Sequence, residues 1–375
     1  MEYCAQQIVA NWDNRKYRSE ILKRLHAANV DAIEYILDMF RKQNKLSEGI
    51  LCQFLPSICY SLNLTGCDFL RNSVLRQISF YCKNLNTLIL DGCKQLSNYS
   101  LQSILQNCWK LEVLSLRGCF LITDGPFITS CSLFYGLHAL VSLRKLCLSR
   151  CSQLSGEFAV AIVKNCSQLR YLDISYCRHI SQDALQKLFV IFFTELDVSY
   201  IRAVADESFR VLIPHSEYLT SLRMDHAEVS DSVLKELLMH ATRLKELSIA
   251  NSSSIGDSTL CCLAHYSHRL TSLTIDNSSI TDVGVSAILG SLPITHLSAA
   301  FCCHLTGEDT PYAAFRNVNE TLPLREVNVM WCDKLTDETF QRLQHCRRLV
   351  RVGIKGCCVS QPVIHQCEER GVTFF

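Results

Sequence analysis

Twenty-two of the 375 residues are cysteine and twelve are histidine. Thiols and imidazoles in that number could hold zinc, close disulfides or supply a nucleophile, and their spacing decides which. A zinc site read from sequence shows C-x(2–4)-C pairs with a second pair, or histidines, close by. Here the close pairs are Cys147/Cys151 and the doublets Cys261/Cys262, Cys302/Cys303 and Cys357/Cys358. Cys147 and Cys151 straddle the end of a period-2 segment, which does not present both thiols to one ion. The histidines are scattered, and His226 and His296 fall on strand segments as surface residues do. There is no phosphate-cradling GxxxxGK[ST] or GxGxxG, and no GxSxG or HExxH. The expectation is a chain without catalytic residues, metal or cofactor.

Disulfides depend on compartment. The opening MEYCAQQIVANWDNRKYRSE has neither the basic start nor the unbroken apolar run of a secretory signal. Cytosol or nucleus is therefore expected, with reduced thiols. The sequons at Asn63, Asn98, Asn165, Asn251, Asn277 and Asn319 then read as chance. Charge is nearly balanced, 37 basic against 36 acidic residues, so neither nucleic acid nor an anionic membrane is an expected partner. The least charged stretch, 125–143, is broken by glycine, proline, serine and threonine and makes a poor membrane span.

What the cysteines mark is a period. LNTLILDGC (85–93), LEVLSLRGC (111–119), LRKLCLSRC (143–151) and LRYLDISYC (169–177) share a beat of apolar residues ending in cysteine. Further copies start at 194, 219, 244, 270, 294, 324 and 349, and a partial first copy ends at Cys67. The ninth positions fall at 67, 93, 119, 151, 177, 201, 227, 252, 278, 302, 332 and 357, mostly 24 to 26 residues apart. That is the leucine-rich-repeat signature. Between copies the period changes to that of a helix: in LSNYSLQSILQNCWKL, Leu101, Ile104, Leu105 and Cys108 share one face. Each copy predicts a strand, a turn and an amphipathic helix. No copy covers its own apolar face, so the predicted fold is an α/β leucine-rich-repeat solenoid, a horseshoe of about twelve strand–helix repeats over residues 59–375. The cysteines then become packing positions, one column at the strand's exit and a second (Cys82, Cys108, Cys166, Cys346) at the helix end.

With the leucines turned inward, positions 3, 5 and 7 face the concave side. Asp173, Glu195, Asp197 and Asp225 are expected to cluster there, offset by Arg223, as a docking patch for a basic segment of a protein target. A solvated polar face is the plainer reading of the same charges. Position 8, on the rim, carries Tyr176, Tyr200, His226, Phe301 and Trp331. Exposed aromatics are enriched at binding hot spots, although the rings could simply lie flat over their own turns.

Residues 1–58 do not fit the repeat. Ile21, Leu22, Leu25, Ile33, Ile36, Leu37 and Phe40 lie at helical spacing, which predicts a helical cap or a docking segment. The pattern L..L.L.GC..L(S/T)D..L..I...C..L over roughly 59–357 resembles the cysteine-containing leucine-rich repeats of F-box substrate receptors. It equally resembles antagonist-of-mitotic-exit-network proteins and Zyg-type receptors of elongin–cullin ligases. The resemblance implies a target held on the concave face or rim, and a Skp1-cullin or elongin-cullin ligase core held through residues 1–58. YRSEILKRLHAANV departs from the F-box pattern in lacking its Leu-Pro and its Val-Cys-x-x-Trp. An elongin box would need a leucine four residues before its cysteine, and before Cys4 of MEYCAQQI that place falls ahead of Met1. The reading is a non-catalytic substrate-recognition or adaptor subunit of a ubiquitin ligase. The alternatives are a free-standing scaffold or inhibitor and, more remotely, a cysteine-dependent or metal enzyme.

Overall fold

The leucines at positions 4 and 6 set the architecture, because each faces away from water on both of its flanks. Leu88, Leu90, Leu114, Leu116, Leu146 and Leu148 are all completely buried. Removing one such side chain from water stabilises by about 1.5–3 kcal/mol, and every copy repeats the contribution. The computed structural model describes residues 2–25, 30–55, 60–130, 139–307, 314–315 and 320–375. Cys59, Cys131 and Asn319 lie outside the described residues, as does part of the 125–143 stretch. Among the described residues, no helix is long and apolar enough to cross a membrane. The chain divides into two compact units, Met1–Leu188 and Phe189–Phe375.

The first unit begins with four helices: α1 (Glu2–Ala10), α2 (Arg15–Leu25), α3 (Val30–Lys42) and α4 (Glu48–Phe54). Trp12 stacks on Phe54 and meets Phe40 edge-on, forming a small aromatic core among them. Five strands follow, β1 (Ser61–Asn63), β2 (Thr87–Ile89), β3 (Val113–Ser115), β4 (Lys145–Cys147) and β5 (Tyr171–Asp173). Each pairs in parallel with the next at positions 3 to 5 of the repeat. Between and after them run α5 (Asn72–Tyr81), α6 (Asn98–Asn107), α7 (Gly125–Ser130), α8 (Phe158–Asn165) and α9 (Gln182–Leu188). The helical face expected for α6 is observed, with Leu101, Ile104, Leu105 and Cys108 buried.

The second unit continues the same pattern. Its strands are β6 (Glu195–Asp197), β7 (Ser221–Arg223), β8 (Glu246–Ser248), β9 (Ser272–Thr274), β10 (His296–Ser298), β11 (Glu326–Asn328) and β12 (Arg351–Gly353). Its helices are α10 (Asp206–Leu212), α11 (Asp231–His240), α12 (Asp257–Tyr266), α13 (Asp282–Ser291), α14 (Asp337–Leu343) and α15 (Gln361–Glu369). A thirteenth short strand, β13 (Thr373–Phe374), pairs in parallel with β12 without any leucine triplet to announce it.

The "(S/T)D" that precedes many helices has a structural cause. A capping residue such as Ser97, Ser230 or Thr281 gives its side chain to the first orphan amides of its helix, and the preceding repeat holds that capping residue in place. Asp206 accepts from the Ser230 amide and hydroxyl at 2.7 Å each. Asp257 does the same for Thr281 at 2.8 and 2.6 Å, and Asp282 for the Thr306 hydroxyl at 2.5 Å. In the first unit Asn72 and Asn98 take the amides of Ser97 and Thr123, both at 2.9 Å. Asp124 accepts four bonds, from Ser155 N and Oγ, Gly156 N and Phe158 N, between 2.9 and 3.1 Å. The starts of α6, α7, α8, α11 and α13 are thereby fixed by the repeat before them.

Candidate protein-binding site

The thiols form ladders rather than reactive centres. Cys119 Sγ donates to the Leu90 carbonyl at 3.2 Å, Cys151 to Leu116 at 3.1 Å and Cys177 to Leu148 at 3.1 Å. The second unit repeats this, with Cys332 on Ala299 at 3.1 Å and Cys357 on Val329 at 3.0 Å. Each of these ninth-position thiols thus bonds the sixth-position carbonyl of the previous repeat. Burial pushes the Cys119 and Cys177 thiols up to about 12, and it raises Cys93 and Cys151 as well. A thiol held protonated is a poor nucleophile. Among the described residues, no three His, Cys, Asp or Glu side chains converge on a common centre. Iodoacetamide at mildly alkaline pH should therefore label the exposed Cys4, Cys261, Cys303 and Cys358 and spare Cys119 until denaturant is added. Peptide mass spectrometry reads the outcome, and native labelling of Cys119 as fast as Cys358 would contradict the ladder.

The open face of the strands carries the expected acids, but not all of them in the expected state. Asp173 is 1% exposed. It accepts from Arg117 at 2.9 Å, from Cys147 Sγ at 3.2 Å and from its own repeat's Ser175 hydroxyl at 2.6 Å. The correction to the sequence expectation is physical: Arg117 reaches across from two repeats earlier and neutralises Asp173, which leaves no free carboxylate for a partner. Cys147, the other position-5 residue of that region, is buried between them.

In the second unit, Glu195, Asp197 and Asp225 are half-buried on this face, and Arg223 is exposed. Asp197 turns back to the Ser199 amide at 3.0 Å. Asp225 accepts from the Ser248 hydroxyl at 2.6 Å and the Ala250 amide at 2.9 Å. Asp276 bonds Ser298 and Ala300 in the same way, as Asp91 bonds Ser115 and Arg117 in the first unit. An aspartate at position 7 thus holds the serine hydroxyl at position 5 of the next repeat. Burial holds the Asp276 carboxyl above its ordinary value, with the Asp225 charge adding to the effect against the Ser298 bond. Among the described residues, Arg223 forms a loose ion pair of 4.0 Å with Glu246 rather than with the predicted cluster.

The rim positions share a backbone conformation that sequence reading missed. Arg150, Tyr176, Tyr200, His226, Asn251, Asn277, Phe301 and Trp331 all have φ between 50° and 62°. Elsewhere in the chain position 8 is glycine, as at Gly92, Gly118 and Gly356, with φ of 70° to 83°. The left-handed region suits glycine and asparagine and costs about 1–2 kcal/mol for other L-residues, so bulky side chains there stand out.

Their side chains pack on those of the neighbouring repeat. Phe301 and Trp331 stack on each other at 6.0 Å, and Tyr200 packs on His226 at 4.5 Å. Trp331 also lies across Gly356 of the following repeat, where an added Cβ would sit 2.5 Å from the ring. In the first unit the Arg150 guanidinium covers the Tyr176 ring at 4.7 Å. Phe301 and Trp331 remain 54% and 47% exposed. Stacked, half-exposed rings on a strained backbone are suited to gripping a protein partner.

No protein-family profile matches the chain. No curated protein matches it either. Among solved structures it is similar to Rad7 in the crystal structure of the Rad7 and Elc1 complex in yeast. The TM-score is 0.63 at 16% identity, covering 100% of this chain and 97% of that one. It is also similar to an internalin, InlF, from Listeria monocytogenes, with a TM-score of 0.53 at 17% identity over 92% of this chain and 93% of that one. At such identities the likeness is one of fold, and the fold is an α/β leucine-rich-repeat solenoid.

Proposed function

We propose that this chain is a non-catalytic target-binding subunit of a cullin-type ubiquitin ligase. The observation that carries the binding half is the rim of the second unit, where Tyr200, His226, Phe301 and Trp331 occupy left-handed backbone positions that a purely structural turn would give to glycine. Beside them Glu195, Asp197 and Asp225 offer partly exposed carboxylates, which suits a target whose bound segment is basic with apolar anchors.

The ligase half is supported by the repeat subtype and by α2. No residue of α2 whose burial is described is buried, and Tyr17, Ile21 and Leu22 are half-exposed along it. An amphipathic helix whose apolar residues stay partly accessible at the end of a solenoid fits a docking element. The similar fold of Rad7, found in complex with Elc1, is in keeping with an adaptor.

A second reading, a free-standing scaffold with a simple cap, draws on α3 and α4. Glu34 accepts from the Ser61 amide at 2.6 Å, and Glu48 pairs with Arg71 at 2.5 Å, which ties both helices to the first repeats. Affinity purification with mass spectrometry separates the two. The intact chain should recover Skp1-cullin or elongin-cullin subunits together with a target, and Ile21→Glu with Leu22→Glu should lose the ligase subunits and keep the target. Recovery of targets without ligase subunits by the intact chain would favour the scaffold.

A further inference from the structure

The opposite edge of the second unit, where the chain enters each strand, carries a different chemistry. Arg243 and Lys245 precede β8, Arg269 precedes β9, Arg325 precedes β11 and Arg348 precedes β12. All five are exposed. The nearby acids are engaged elsewhere: Glu246 with Arg223, Glu326 with Arg351 at 3.3 Å, and Glu320 with Arg347. Glu217 is the acid that remains at the Tyr218 end. The backbones of this edge are joined in one line, Thr271 N to Lys245 O, Thr295 N to Thr271 O, Arg325 N to Thr295 O and Val350 N to Arg325 O, each at 2.7 or 2.8 Å. The backbone positions of Lys245 and Arg325 are therefore set by the sheet.

One end of the line is aromatic. Arg243 lies over the Tyr218 ring at 5.2 Å, and Phe192 meets Tyr218 edge-on at 5.7 Å. Both rings are exposed, 40% for Tyr218 and 42% for Phe192.

We propose that this strand-entry edge binds an extended acidic protein segment that carries an aromatic or aliphatic residue at one end. Four strand steps of about 4.8 Å separate β8 from β12, roughly 19 Å, which an extended chain covers in about six residues at 3.3 Å each. The cations are held at intervals that a strand's carboxylates can meet, and the Tyr218–Phe192 pair receives the apolar end. Glu217, Glu246, Glu320 and Glu326 are interspersed along the edge and would repel a continuous run of phosphates. A peptide, whose charges are separable, avoids them, so the edge fits an acidic protein better than a nucleic acid. This surface is distinct from the aromatic rim at the strands' exit and carries charge of the opposite sign to the open-face acids, so it calls for a second kind of partner.

The test uses the full chain and a fluorescein-labelled peptide of one phenylalanine followed by about six residues in which aspartate or glutamate alternates with serine, spanning the length derived above, read by anisotropy near 0.15 M salt. Lys245→Glu with Arg325→Glu should weaken binding at least tenfold. Tyr218→Ala should weaken this peptide but not one in which glycine replaces the phenylalanine. All the replaced side chains lie at the surface, and circular dichroism checks that the fold is kept. A control with the same change in net charge, Lys16→Glu with Lys23→Glu, should leave binding as it was. Absence of binding by the unaltered chain, equal loss in the control, or tighter binding of a single-stranded oligonucleotide that is lost in the Lys245→Glu, Arg325→Glu variant would each overturn the proposal.

Discussion

Asp124→Ala is expected to destabilise the first unit by about 3–5 kcal/mol, among the largest effects of any surface-proximal substitution in the chain. Asp124 is 6% exposed and accepts four hydrogen bonds from the start of the next repeat. Alanine removes every acceptor at once. The Gly156 and Phe158 amides are then left buried without partners, and each costs about 1–3 kcal/mol. Asp337 provides the comparison, since it takes the Ser360 amide at 2.7 Å in a solvated setting where water can replace it. Asp337→Ala should cost about 1 kcal/mol, the ordinary value of a lost cap. Urea unfolding gives both numbers, and amide exchange at Gly156 and Phe158 reports whether the loss is local. Equal costs at the two sites would mean that the joint between repeats carries no special weight.

The second large effect concerns binding. Phe301→Gly combined with Trp331→Gly should weaken the target interaction by about 2–4 kcal/mol, the range of a hot-spot pair. Folding stability should hold or rise. Glycine relieves about 1–2 kcal/mol of left-handed strain at each position, which offsets the roughly 0.5–1.5 kcal/mol lost with the stacked pair. Alanine at the same two positions removes the rings and keeps the Cβ, so those variants should be less stable than the glycine ones. Thermal unfolding of the two double variants, beside a pull-down of the target, separates the roles. If the glycine variant were the less stable of the two, the rings would be structural props. If it bound normally, the rim would not be the contact surface.

The repeat strands were legible because three apolar positions and a cysteine recur on a fixed beat, and all twelve leucine-based strands occur at positions 3 to 5 of the copies. β13 was not, since "GVTFF" carries two strand residues and no triplet. The cysteine columns were read as packing positions, and the structure adds what each thiol does, which depends on the carbonyl of a neighbouring repeat. The charge of Asp173 was misjudged because Arg117 lies 56 residues away in sequence, a distance at which no local pattern operates. The pairing of Asp91 with Ser115, Asp225 with Ser248 and Asp276 with Ser298 does have a signal, an aspartate followed 22 to 24 residues later by serine. It becomes visible only once the repeat register is set. The rim aromatics were visible by type, but φ is not written in a side chain's identity. For α2, apolar spacing reads the same whether or not anything covers the face, so only the structure shows Ile21 and Leu22 half-exposed.

The bonds between Asp206 and Ser230, and between Asp257 and Thr281, run the same way, from the start of one helix to the residue before the next, and Asp282 bonds Thr306 of the following repeat in the same sense. These repeats therefore carry an acceptor for the successor and a donor for the predecessor, like two halves of one standard coupling. A recombination event that removes or duplicates a whole repeat rejoins matching halves, whereas one that cuts inside a repeat leaves a carboxylate and an amide stranded. Such a chain can change length in whole units without renegotiating its core. Each added unit brings one more rim position whose side chain the coupling does not specify.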